Sequence, residues 1–167
     1  KRYAGMGLVT EVFNPRTLEQ LKAHVAIGHV RYSTTGSCHQ ANAQPLLVNY
    51  SRGEVAVAHN GNLINAALLR KEYEEHGAIF ATTSDTEVIV HLLAKPGHCD
   101  KQNAVAHLLT HLQGAYSLLF LFPDRMIAVR DPYGFRPLVL GRLENGGIVA
   151  ASETCALDIV DAEFIRE

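Results

Sequence analysis

The chain has only three cysteines, little excess of charge of either sign and no long apolar run. Its formal net charge is -2, with acidic and basic residues interspersed. This pattern excludes a basic stripe for nucleic acid and a cationic amphipathic helix for a membrane surface. The longest apolar runs, near 88–94 and 117–122, are far too short to span a bilayer. We therefore expect a soluble, cytoplasmic protein whose partner is a small molecule or another protein.

The cysteines have no metal-site spacing, and the histidines offer one candidate pair. The cysteines match neither a zinc finger nor a CxxC motif, so free cytosolic thiols are expected. They are Cys38, Cys99 and Cys155. Among nine histidines, His107 and His111 would share one helical face at i, i+4 spacing, with His98 and Cys99 as candidate neighbours. An acidic third ligand and an HExxH context are missing. Ordinary surface histidines explain the pattern better, and we predict no metal site and no cofactor in this chain.

The chain has 167 residues, of which 47% are apolar, enough to bury the core of one domain without disulfides or metals. Helices are predicted over 15–23, 65–76, 84–94 and 103–112. Strands are predicted over 25–31, 54–60, 116–122, 126–130, 138–142 and 148–152. The helix at 84 begins with the capping-box spacing of Ser84 and Glu87, and the polar stretch 34–44 is predicted to be a mobile loop. The order fits an α+β domain with helices covering antiparallel sheets, and argues against a parallel doubly wound fold.

Three short segments carry residue types that suit a free amino acid. GHVRYSTTG at 28–36 contains Arg31 and Thr34, AHNGNL at 58–63 contains Asn60 and Gly61, and TTSDTE at 82–87 contains Asp85. A guanidinium can grip an α-carboxylate with two hydrogen bonds, and a carboxylate can bind an α-ammonium group. An Asn side-chain amide and the N–H of the following Gly can converge on one oxygen, as in an oxyanion hole.

Each of these residues also has a structural explanation. Arg31, at a predicted strand end, could belong to an internal ion pair. Asn60-Gly61 is a common hairpin-turn dipeptide. Asp85 lies in the first turn of a predicted helix, where the helix dipole favours an acid by roughly 0.3 to 1 kcal/mol. The residues taken singly leave both interpretations open.

Five motifs follow one another over nearly the whole chain. They are GHVRYSTTG, AHNGNL, TTSDTEV, RDPYGFRPLVLG and ASETCALD. Together they resemble the glutaminase domain of the amidophosphoribosyltransferase family, within the class II, N-terminal-nucleophile glutamine amidotransferases. The resemblance implies a four-layer αββα sandwich of antiparallel sheets covered by helices. Glucosamine-6-phosphate synthases typically differ at Tyr32 and Thr35 and lack the RDPYGFRPL segment. Asparagine synthetases usually lack the pairing of the first and last motifs.

By this resemblance Arg31, helped by Thr34, binds the α-carboxylate of glutamine, and Asp85 binds its α-ammonium group. Asn60 and Gly61 form the oxyanion hole. The family's nucleophile is a cysteine at the mature N-terminus, whose own α-amino group acts as general base. This chain begins with Lys1, and none of its cysteines matches that position. We therefore expect a glutaminase domain that lacks its N-terminal segment and is inactive as a fragment.

The resemblance also implies what the complete enzyme does. It hydrolyses glutamine to glutamate and passes ammonia to phosphoribosyl pyrophosphate, making 5-phosphoribosylamine for purine biosynthesis. A phosphoribosyltransferase domain with magnesium is expected downstream, in a homo-oligomer, and an iron–sulfur cluster in the complete protein is left open. Three alternatives stay open. They are the glutaminase domain of another class II amidotransferase, a noncatalytic glutamine-binding module, and a structural or assembly domain.

Overall fold

The computed structural model describes residues 1–31, 39–98 and 102–167. Helices in these ranges are α1 Val9–Val12, α2 Pro15–Gln20, a 3-10 turn Gln40–Asn42, α3 Ala66–Glu75, α4 Thr86–Ala94, α5 Ala104–Leu109 and α6 Cys155–Ile159. Strands are β1 Leu46–Tyr50, β2 Gly53–Leu63, β3 Gly114–Leu121, β4 Met126–Arg130, β5 Val139–Arg142, β6 Ile148–Ala151 and β7 Glu163–Arg166. None of these helices is long and apolar enough to cross a membrane.

The strands form two antiparallel sheets. The first has the order β1-β2-β3-β4 and the second has the order β6-β5-β7. Every strand pair in the described ranges is antiparallel, as expected for strands that follow one another through short turns. The α+β class, with helices and antiparallel sheets, is confirmed.

The main core lies between the first sheet and helices α3, α4 and α5. Alternate residues of β2 and β3 point to this side, and Val57 and Phe120, which are opposite each other in the pairing, are both fully buried. Apolar residues of α4, including Ile89 and Leu92, belong to the same core. The second sheet has a smaller contact of its own, where Leu157 of α6 packs on Gly141 of β5. The opposite face of the first sheet is therefore free of helices from this core.

Several predictions from sequence are wrong in the structure. Residues 25–31 are irregular, and Val25 and Val30 are 50% and 75% exposed, because this segment has no strand partner within the described ranges. The stretch 34–44, predicted to be a mobile loop, is fixed near its end. Asn42 is 1% exposed and is hydrogen-bonded through its side chain to Thr83. The remainder of that stretch, 34–38, lies outside the described residues.

A third concerns the start of α4. The helix begins where the Ser84 and Glu87 spacing predicts, but the pair does not close a capping box. Glu87 instead accepts hydrogen bonds from the backbone N–H groups of Ala81 and Thr82 at 2.8 and 2.7 Å. The Glu87 carboxylate thus binds the backbone of the turn before the helix, and not the backbone N–H of Ser84 as a capping box requires.

Candidate active site

Asn60 and Gly61 lie inside β2, so the hairpin-turn interpretation of this dipeptide is wrong. Asn60 is opposite Ser117 of β3, and Gly61 is opposite Tyr116. Gly61 has a φ of +145°, and a Cβ at this position would collide with the carbonyl oxygen of Ala115. Glycine is required here because it alone permits both this backbone conformation and this close approach of β3.

Asn60 faces a cavity on the side of the first sheet away from the helices. The cavity has a volume of about 450 Å³, and Ser117, His29 and Ser152 contribute to its wall together with Asn60. That volume is within the usual range for small-molecule sites. A side-chain amide in the wall can donate hydrogen bonds to an oxygen of a bound molecule.

Asp85 is the N-cap residue of α4, but its side chain makes no N-cap hydrogen bond, and its contact with the helix is with the backbone N–H of Thr86, the first helical residue. Its Oδ2 accepts a hydrogen bond of 3.0 Å from the backbone N–H of Leu63, and its Oδ1 lies 3.5 Å from Nδ1 of His59. The carboxylate therefore contacts β2 on both sides of Asn60-Gly61 along the strand. The tertiary contact with β2, rather than a capping bond, holds this side chain.

The pKa of Asp85 is held below its ordinary value. Burial is the largest single influence and acts in the opposite direction, since it penalises the charged form. It is outweighed by the hydrogen bond and charge of His59 and by the backbone N–H groups of Leu63 and Thr86. Asp85 is consequently an ionised carboxylate at neutral pH, and its side chain is 22% exposed. An ionised, partly accessible carboxylate can bind an ammonium group.

A buried polar network adjoins Asp85. The hydroxyl oxygen of Thr86 receives hydrogen bonds of 3.0 Å from Gln44 Nε2 and from Ser84 Oγ, and it lies 3.3 Å from His59 Nδ1. Gln44 Oε1 also accepts a 2.6 Å hydrogen bond from the backbone N–H of His59. The network links the residues before β1, strand β2 and the start of α4, so it fixes the position of Asp85.

Sequence reasoning missed these positioning residues. His59 and Thr86 lie inside AHNGNL and TTSDTEV, so motif membership was an available signal for both. Gln44 lies in a polar stretch that resembled an exposed loop, yet it is 8% exposed. Its role depends on contacts with residues 15 and 42 positions away in the chain, which composition does not reveal.

Arg31 is half-buried at the end of the irregular segment that follows α2. His29 anchors this segment to β2, since its Nε2 lies 3.0 Å from the carbonyl oxygen of His59. Burial lowers the pKa of His29 most strongly, and the charges of His59 and Arg31 add to this effect against the opposing hydrogen bond to the His59 carbonyl. Arg31 thus lies near His29, while Thr34 is outside the described residues.

The segment RDPYGFRP folds around Asp131, which is 3% exposed. Its two carboxylate oxygens accept hydrogen bonds of 3.0 to 3.3 Å from four backbone N–H groups. The donors are Tyr116, Tyr133, Phe135 and Arg136. Ser117 Oγ donates to the carbonyl oxygens of Arg136 and Pro137. Because Ser117 is opposite Asn60, this loop supports the strand that borders the cavity.

The structure therefore brings Asn60, Gly61 and Asp85 to one stretch of β2 and ties the Arg31 segment to the same strand through His29. Cys155 is a free, exposed thiol on α6. Cys38 and Cys99 lie outside the described residues. The arrangement can bind an ammonium group and donate hydrogen bonds to an oxygen.

Known proteins are similar to this chain in sequence and in fold. A family model for a glutamine amidotransferase domain matches residues 29–158. Amidophosphoribosyltransferase 2, chloroplastic, of Arabidopsis thaliana is 53% identical over 163 residues, covering 98% of this chain and 29% of that protein. The amidophosphoribosyltransferase of Methanocaldococcus jannaschii is 49% identical over 167 residues, covering 99% of this chain and 35% of that protein.

Among solved structures, the glutamine phosphoribosylpyrophosphate amidotransferase from B. subtilis, complexed with ADP and GMP, matches with a TM-score of 0.87 and 45% identity. The match covers 96% of this chain and 34% of that one. The chain belongs to the glutamine amidotransferase family. Within that family, the matched proteins described above are amidophosphoribosyltransferases, and this chain spans about a third of their length.

Proposed function

We propose that this chain is the glutaminase part of an amidophosphoribosyltransferase. In this proposal the site hydrolyses glutamine, and the ammonia is transferred to phosphoribosyl pyrophosphate to form 5-phosphoribosylamine for purine biosynthesis. The observation that carries the proposal is the ionised Asp85 carboxylate held against β2 beside Asn60-Gly61. Family membership and the names of the relatives support it.

Each residue has one role in this mechanism. Asp85 binds the α-ammonium group of glutamine, and Arg31, with Thr34, binds its α-carboxylate. When a thiolate attacks the side-chain amide carbon, negative charge forms on the amide oxygen, and Asn60 and the N–H of Gly61 stabilise it. The amide nitrogen takes up a proton and leaves the tetrahedral intermediate as ammonia, and water then hydrolyses the γ-glutamyl thioester to glutamate. The family resemblance implies that the thiol belongs to an N-terminal cysteine, a position that Cys38, Cys99 and Cys155 do not match, so we assign the attack to none of these three cysteines.

The test compares two reactions of the natural gene product, one supplied with glutamine and one with ammonia. We expect Asn60→Ala to lower the glutamine-dependent kcat by about 100- to 1000-fold, as is typical when an oxyanion-hole donor is removed. Asp85→Asn should raise the KM for glutamine, because the ammonium group loses its charged partner. Both variants should keep the ammonia-dependent rate.

Two exposed positions provide matched controls. Asn49→Ala and Asp124→Asn make the same chemical changes at exposed sites and should leave both reactions unchanged. Equal loss of both reactions in the site variants would assign these residues to folding alone. An unchanged glutamine-dependent rate in both site variants would contradict the proposal.

A noncatalytic glutamine-binding module is the second candidate, favoured by the position of Cys155, an exposed thiol on α6 rather than a wall residue of the Asn60 cavity. Calorimetry with glutamine separates the two, because a binding module retains glutamine without releasing glutamate. The phosphoribosyltransferase domain, its magnesium, an iron–sulfur cluster and a homo-oligomer stay predictions about the complete protein. The cytoplasmic location also stays a prediction, since the named plant relative is chloroplastic.

A further inference from the structure

Three histidines meet where the turn after α4 reaches α5. His98 follows α4, while His107 and His111 are one helical turn apart on α5 and just beyond it. The ring centroids are 4.5 Å apart for His98 and His107, 4.8 Å for His98 and His111, and 5.1 Å for His107 and His111. One nitrogen from each ring lies within 4.8 Å of the others. Asp85 is at the opposite end of α4, roughly 13 Å of helix away.

The hydrogen bonds of the rings leave nitrogens available to a ligand. His111 Nδ1 lies 3.1 Å from the carbonyl oxygen of His107, so we assign it as the donor and Nε2 as the unprotonated nitrogen. The ring of His98 is hydrogen-bonded to the carbonyl of Leu92, and its Nδ1 is buried without a hydrogen-bond partner in the described part of the chain. Metal-binding histidines are commonly oriented by such bonds from the second ring nitrogen to a carbonyl.

We propose that His98, His107 and His111 bind one divalent transition-metal ion, best matched by Zn²⁺, through three imidazole nitrogens. The fourth position of the tetrahedron would be open to water. Zinc–nitrogen bonds of about 2.0 to 2.1 Å place tetrahedral ligands about 3.4 Å apart, so the widest separation of 4.8 Å must close by roughly 1.4 Å. Half-buried imidazoles can make this movement by side-chain rotation. The ion would link the turn after α4 to α5, away from the candidate active site.

This proposal departs from the prediction of no metal site. The sequence indicates His107 and His111 as a pair on one helical face with His98 and Cys99 as candidate neighbours, but it lacks an acidic third ligand and an HExxH context. His98 supplies the third ligand because the chain turns back after α4, and that turn depends on how α4 and α5 pack.

The experiment uses the natural gene product without a histidine tag, first treated with a chelator. Zn²⁺ is titrated by calorimetry, and Co²⁺ is followed by the visible absorption of its tetrahedral complex. We expect one ion per chain in the wild type. His107→Gln and His111→Gln should each weaken Zn²⁺ binding at least about tenfold, and Thr110→Val, which removes a hydroxyl 3.1 Å from His111 Nδ1, by about tenfold.

His24→Gln is the matched control, because His24 is exposed and outside the cluster, and it should bind Zn²⁺ as the wild type does. Cys99→Ser tests whether the thiol that follows His98 in sequence accounts for binding, and it should also have no effect. Circular dichroism establishes that each variant is folded. Unchanged binding in both His107→Gln and His111→Gln, or loss of binding only in Cys99→Ser, would overturn the proposal.

Discussion

Asp131 is an ionised side chain in the interior, and its surroundings explain why that is tolerated. Burial alone raises the pKa of a carboxyl, and it is the largest single influence on Asp131. The backbone N–H groups of Arg136, Phe135, Tyr133 and Tyr116 outweigh it and hold the pKa of Asp131 below its ordinary value. Asp131 therefore serves as the centre of the RDPYGFRP loop, which is a structural role for a motif that identifies the family.

Replacing this carboxylate should destabilise the protein. In Asp131→Asn one acceptor oxygen becomes an NH₂ group that cannot accept hydrogen bonds, so two backbone N–H groups lose their partner. We expect the free energy of unfolding, measured in urea, to fall by about 3 kcal/mol or more, since hydrogen bonds to charged groups contribute roughly 1.5 to 3 kcal/mol each. Asp124→Asn, at an exposed position, should change it by less than about 0.5 kcal/mol. A similar small change in both variants would refute the role given to Asp131.

Strand β2 is the element that organises the candidate site, and it is longer than its pattern predicts. The alternation and the Asn60-Gly61 dipeptide suggested a strand ending at residue 60, but β2 continues to Leu63. Pairing with β3 stabilises the extra residues, and Gly61 and Gly114 allow it because a Cβ at either would collide with a carbonyl oxygen of the opposite strand. A local turn signal was overridden by pairing with a strand more than fifty residues away.

Gly61→Ala should disrupt this pairing. A φ of +145° lies in a region that glycine alone adopts readily and costs an alanine about 1 to 3 kcal/mol, and the collision with the Ala115 carbonyl should raise the loss of stability to roughly 2 to 6 kcal/mol. Gly77→Ala is the matched control, because Gly77 has a φ of +86° and an added Cβ there would meet no atom within 4 Å. The Gly77→Ala variant should lose only the stability that the unfavourable backbone conformation costs. If Gly61→Ala and Gly77→Ala lowered the free energy of unfolding by the same amount, the close approach of β3 would have no energetic consequence.

Across the molecule, several titratable groups have lowered pKa values, and each of them reduces the stability of the fold when the pH falls. Burial is the main reason that the pKa values of His29 and His91 are lowered from 6.5. The pKa values of Asp85 and Asp131 are lowered from 3.8. For all four groups the unfolded chain binds a proton at a higher pH than the folded chain does. Acidification therefore favours unfolding in both ranges.

We expect stability to be lost in two steps, one as the pH falls below about 6.5 and a second below about 4. Urea unfolding of the metal-free protein between about pH 8 and pH 3 measures both steps. His29→Gln should reduce the first step and leave the second, while Asp131→Asn should reduce the second. A stability that is constant between about pH 7 and pH 5 would contradict the effect assigned to the buried histidines.

The amino-acid sequence was sufficient for the features that depend on short stretches of chain. Strong periodicity and turn residues predicted α3, α4 and the bounds of β4 closely, and ordered motifs identified the family. Contacts across the fold decided the rest: Asp85 binds Leu63, 22 residues away, and Gln44 binds Thr86, 42 residues away. Residues 25–31 have a strand-like pattern without a strand partner among the described residues. Local propensity encodes periods and turns, whereas the choice of partners is made by long-range packing and hydrogen bonding.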